Sequence, residues 1–140
     1  FRVGCPQTRF SANFVLLGIH AGFGISHTLP ALIGRQKANQ LLYTGRRISG
    51  EEAFAMGLLD VFVPAEQVRN AALQLAGEIA AAAPLGVMAT RETARIGLVE
   101  KVRAAMQREK DLQGQLYLTE DFQEGIASTA ERRKPDFKGR

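Results

Sequence analysis

The sequence predicts an α/β fold in two parts, a mixed α/β stretch over residues 1–64 and a wholly helical region over residues 65–140. Three observations predict it. Short extended pieces at Phe1–Gly4, Thr8–Phe10 and Leu58–Val63 are bounded by turn-forming Gly, Pro and Asp residues. Between them, Ser49-Gly50-Glu51-Glu52 reads as a capping box, the start of a helix rather than of a strand. Beyond Pro64, the apolar residues Val68, Ala72, Leu75 and Ile79 recur at intervals of three and four, the stripe of an amphipathic helix.

Taken in order, the first two extended pieces flank the turn Cys5-Pro6-Gln7, and Pro6 argues against one continuous central strand. An extended apolar run, RFSANFVLLGIHAGFG over residues 9–24, leads from the second piece into a glycine-rich turn carrying His20. Ser26–Ile33 has helical spacing and Gly34 ends it as a C-cap; a second short helix follows over 35–43 with Ala38, Leu41 and Leu42 on one face. The capping-box helix stops at Gly57, and Pro64 suits the first turn of the next helix because its missing N–H would be unpaired there anyway. Pro84 and the alanines before it separate that helix from one over 85–97. A third helix over 101–118 carries Val102, Met106 and Leu116, and Thr119 opens a fourth that runs toward Arg133. Two strands of this size do not make a stable sheet alone, since ~3 or more with a covered face are needed, so partner strands are expected upstream of Phe1.

Composition narrows the class. No stretch approaches the ~20 consecutive apolar residues of a membrane helix, and no basic-then-apolar leader opens the chain, so the expectation is a cytoplasmic protein without a membrane partner. The single cysteine, Cys5, excludes an intrachain disulfide and any multi-cysteine metal site. The net charge of +4 is uneven: residues 1–50 hold six of the 18 basic residues and none of the 14 acidic ones. Such a field attracts phosphates, although solvated surface arginines give the same count. The aromatic–basic interleaving of single-strand nucleic-acid binders is missing, which argues against a nucleic-acid partner.

Several motifs in one order carry a resemblance: R-F-S-A-N-F leading to L-G-I, the A-G-F-G turn, T-L-P-A-L-I-G, then Y-T-G-R-R-I-S-G-E-E-A, G-L-L-D-V-F-V-P and the tail R-K-P-D-F-K. Together they resemble the crotonase family of enoyl-CoA hydratases and isomerases, and specifically its C-terminal half. The resemblance implies the C-terminal part of a ββα spiral followed by a helical oligomerisation region, assembling as a trimer or a dimer of trimers. It also implies acyl-CoA processing of the kind used in fatty acid metabolism, with coenzyme A entering as part of the substrate and no permanently bound cofactor or metal.

The chemistry implied is stabilisation of a thioester enolate by two backbone N–H groups. In the family both lie upstream of the stretch matched here, so this piece alone is expected to be inactive. Hydratases of the family also use two glutamates. One belongs to the upstream half; the other falls, by motif, on Phe14. Some isomerases instead place an acid in the turn, at the position of Gly22. With no Asp or Glu before Glu51, neither motif supplies a carboxylate. No catalytic residue is therefore identifiable, with His20 the one candidate, since an imidazole moves protons near neutral pH and stands where the family commonly has proline. A turn histidine bonded to backbone is the alternative, and a helix-surface or capping role is the reading for His27. Phe14, His20, Gly22 and Phe23 are the candidate acyl-binding residues. Arg132 and Lys134, with Phe137 as an aromatic anchor, are the candidate CoA-phosphate residues. Two functions stay open: an acyl-CoA hydratase or isomerase, and a crotonase-fold CoA-ester binder or scaffold lacking the hydratase glutamates.

Overall fold

The computed structural model describes residues 1–140 as short strands and seven α-helices. Strand β1 (Val3–Gly4) pairs in parallel with β4 (Val61–Phe62), with Val3 opposite Val61 and Gly4 opposite Phe62; β2 (Arg9–Ser11) pairs with β3 (Arg47–Ser49). The helices are α1 (Ile25–Ile33), α2 (Arg35–Thr44), α3 (Gly50–Ala55), α4 (Val68–Ala81), α5 (Pro84–Ala94), α6 (Leu98–Leu116) and α7 (Glu120–Glu131). The chain divides into two compact units, one of residues 1–10 and 48–100, the other of residues 11–47 and 101–140.

In the first unit, β1 and β4 lie against α3 and α4 around buried Ile48, Ala53, Leu58 and Leu59. The capping box is complete: Glu52 N–H donates to Ser49 Oγ at 3.2 Å, and the Glu52 carboxylate accepts the Ser49 N–H at 3.0 Å. Arg2 ties β1 to the chain before β4, its Nε donating to the Leu58 carbonyl and its backbone N–H to Asp60 at 2.6 Å. Phe54 stacks on Phe62 with ring centroids 5.7 Å apart.

Three expectations shift here. The extended piece expected over 58–63 pairs only at Val61–Phe62, because Leu58 and Leu59 N–H groups turn back to the Ala53 carbonyl as α3 ends. Pro64 precedes a short 3-10 turn, Ala65–Gln67, and α4 starts only at Val68. The less exposed side of α4 runs through the half-buried Val68, Ala71 and Leu75, while Ala72 and Ile79 are exposed. Neither α4 nor α5 carries a buried residue, and Leu73, Leu85 and Met88 are largely exposed. No single helix is long and apolar enough to cross a membrane.

In the second unit, α1 packs on α2, and a 3-10 helix at Asn13–Leu17 packs on α2 and α7. The apolar run expected to be extended beyond Ser11 therefore coils instead: Gly18 and Ile19 N–H groups return to the Val15 and Phe14 carbonyls. The core is Ala12, Ala21, Leu29, Ile33, Ala38 and Leu41. At the approach of α7 to the 3-10 helix, Gly125 leaves no room for a side chain, since a Cβ there would overlap the Leu17 carbonyl. Thr119 caps α7 by accepting the Phe122 N–H at 3.1 Å.

Candidate functional site at the 20–26 turn

The glycine-rich turn is built by two consecutive left-handed residues. Phe23 has φ 63° and Gly24 φ 72°; glycine takes that conformation freely, whereas a phenylalanine there is strained. Phe23 also stands 88% exposed. It is 6.4 Å from the half-buried Phe14 ring, centroid to centroid, at a tilt of 50°.

The turn is gripped from beneath by α6. Glu109 is 2% exposed, and its carboxylate accepts three hydrogen bonds: from Gly24 N–H at 2.6 Å, Ser26 N–H at 3.0 Å and Ser26 Oγ–H at 2.5 Å. Two of these donors open α1, so the carboxylate also meets the positive end of that helix dipole. One turn further along α6, the Gln113 amide donates to the His20 carbonyl at 2.8 Å. Gly22 is buried between these anchors, and a Cβ there would sit 2.9 Å from Gln113 Nε2, so the Gln113 amide would have to shift.

The structure thus brings four sequence candidates, Phe14, His20, Gly22 and Phe23, to one turn and the 3-10 helix before it. His20 Nδ1 lies 2.7 Å from the Ala21 carbonyl, which can only accept, so Nδ1 carries the proton of that bond and a neutral ring has its lone pair on Nε2. His27 sits half-buried in α1, its N–H donating to the Gly24 carbonyl at 3.1 Å.

The other three candidates lie at the far end of α7. Arg132 closes that helix in the left-handed region with φ 56°, and its side chain and that of Lys134 are exposed and outside any ion pair. Arg133, between them, is the engaged residue, paired with Glu124 and with Glu131 at 2.5 Å. The segment beyond folds back on α7: Asp136 N–H donates to Glu124 at 2.8 Å, and Lys138 and Gly139 N–H groups to Asp121 at 2.6 and 2.9 Å. The Arg133 guanidinium, with the Asp136 N–H, holds the Glu124 carboxyl down at about 2. Phe137, with 37% of its surface exposed, is part of this returning segment.

Ser26, Glu109 and Gln113 are the site residues that sequence reasoning missed. A signal existed in α6, where Val102, Ala105, Glu109, Leu112 and Leu116 recur at intervals of three and four, placing a carboxylate on an otherwise apolar stripe. Met106, expected on that stripe, is 48% exposed.

A family model described as enoyl-CoA hydratase/isomerase matches residues 2–140. The crotonyl-CoA hydratase of Syntrophomonas wolfei is 35% identical over 137 residues, covering 98% of this chain and 53% of the relative. The 2,3-dehydroadipyl-CoA hydratase of Escherichia coli is 33% identical over 138 residues, with 99% and 54% covered. Among solved structures, a carnitinyl-CoA dehydratase from Mycobacterium avium superposes with a TM-score of 0.89 at 31% identity, covering 99% of this chain and 55% of that one. The chain spans about half the length of the curated relatives it matches.

Proposed function

Because the chain belongs to the enoyl-CoA hydratase/isomerase family and has the crotonase fold, we propose that it is the C-terminal half of a protein that binds an acyl-CoA thioester and carries out enolate chemistry on it. The observation that carries this reading is the exposed Phe23 ring beside Phe14 on a strained, firmly anchored turn. Such a pair offers an apolar wall to an acyl chain, and strain of this kind gathers at binding sites. The oxyanion donors and the remaining sheet strands belong, on this reading, to the other half. The boundary between spiral core and helical region is placed at residues 64/65.

Within this half the chain's own groups bind and orient more than they transfer protons. Phe14 is a phenyl ring and Gly22 has no side chain, while the Glu109 oxygens are engaged by three donors. A base must then come from the other half, or from His20 through Nε2. At the α7 end, Arg132 and Lys134 are assigned to the phosphates of CoA, with Phe137 against its base; their exposed, unpaired cationic heads favour this. The uncovered apolar side chains of α4 and α5 favour a homotrimer or a dimer of trimers. A cytoplasmic location is part of the same proposal.

The test is spectroscopic hydration of crotonyl-CoA by the complete protein, together with titration of crotonyl-CoA binding. Turnover supports the enzyme reading. The lack of a free carboxylate at the turn favours a second reading, a CoA-ester binder without hydratase activity. Binding without turnover selects that one, and neither binding nor turnover sinks both.

A further inference from the structure

We propose that Glu109 and Gln113 are positioning residues that clamp the 20–26 turn from α6, holding Phe23 in its left-handed conformation as the wall that sets acyl-chain length; this rests on the acyl-CoA reading above. The two side chains are four residues apart, hence on one face of the helix, and they grip opposite ends of the turn. Gln113 holds the His20 carbonyl, and Glu109 holds the Gly24 and Ser26 N–H groups and the Ser26 hydroxyl. Only Ala21, Gly22 and Phe23 lie between the grips. Ala21 and Gly22 are buried, so Phe23 is the one side chain the clamped loop presents outward.

The energetics favour a purpose beyond folding. A fully buried carboxylate is costly unless all its neighbours satisfy it, and here it is satisfied by backbone N–H groups of the very segment that contains the strained residue. An Asn or Gly at position 23 would take φ 63° with little strain. A phenylalanine in its place, with its ring in solvent rather than in the core, is explained by what the ring meets. Sliding the turn would move Phe23 relative to Phe14 and change the depth of the apolar wall. Gly22 serves the same end, since any side chain there would displace Gln113.

The experiment uses the complete protein with Glu109→Gln and, as a variant that keeps a strong helix former in α6, Gln113→Ala. Glu109→Gln turns one acceptor into a donor facing donors; Gln113→Ala releases only the His20 end. The readouts are the ratio of kcat/KM for a four-carbon and an eight-carbon enoyl-CoA, or the ratio of their dissociation constants, and amide exchange at Gly24 and Ser26. A change in the fraction folded scales both esters equally and leaves the ratio alone. The clamp predicts a ratio shifted by about tenfold, the scale of a methylene in an apolar pocket, and exchange about tenfold faster in Glu109→Gln. Equal losses for both esters in both variants overturn the positioning role. Wild-type protein that handles neither ester overturns the acyl-CoA reading and the role given to Phe23. Exchange still decides the clamp in that case, and unchanged exchange in Glu109→Gln overturns it.

Discussion

The Glu109 carboxylate accepts the Gly24 backbone N–H at 2.6 Å although the two residues are 85 positions apart in sequence. One buried side chain of α6 therefore completes the start of α1, a task that usually falls to a residue at the cap itself. The position that would cap α1 is Gly24, which has no side chain to offer. Replacing Glu109 by Ala leaves these donors unpaired in a buried site. It should destabilise the protein by about 3 kcal/mol, measured by urea unfolding, with Glu109→Gln intermediate.

Phe23→Gly relieves the left-handed backbone and gives up no buried ring. It should raise stability by up to about 1 kcal/mol while weakening acyl-CoA binding. Thermal unfolding and ester titration, run side by side, check the opposed signs; a loss of stability would show that the ring is needed for packing.

Two helical glycines should respond in opposite directions. Gly125→Ala forces a Cβ into the Leu17 carbonyl and should cost about 2 kcal/mol or more. Gly114→Ala, with nothing near it in α6, should stabilise by about 0.5–1 kcal/mol. Denaturant midpoints of the two variants decide this.

Ser49→Ala removes the acceptor for the Glu52 N–H and should cost about 1 kcal/mol. Ser49→Asp, which keeps an acceptor at the cap, should recover most of it in the same unfolding assay.

Glu124 gives the C-terminal segment a pH dependence whose sign is fixed by its depressed carboxyl. Because the folded value, about 2, lies below the ordinary 4.5, the stabilisation is fully present above pH 4.5 and is lost as pH falls toward 2. Protection of the Asp136 amide, its exchange taken relative to the intrinsic rate at each pH, should fall through that window, and Glu124→Gln should flatten the response.

The elements with local causes were legible in the sequence. Ser49 and Glu52 form their capping box within four residues, Thr119 caps α7 from the adjoining position, and Gly34 closes α1. What was misread depended on distant partners. The run after Ser11 reads as extended by its apolar content, but it coils into a 3-10 helix that packs on α2 and α7. On α4, the side facing β1 passes through Ala71 rather than Ala72, a rotation that three- and four-residue spacing alone does not distinguish.

For the site, the sequence by itself determined that residues 1–50 offer no carboxylate, that Phe14 and Gly22 occupy the positions where the resembling family places acids, and that a glycine turn carries His20 and Phe23. Only the tertiary structure decided that a carboxylate reaches the turn after all, from Glu109, and that three hydrogen bonds engage it there. The reason is physical. Propensity and capping act over a few residues, whereas a buried charge finds its partners wherever the packed chain brings unpaired N–H groups.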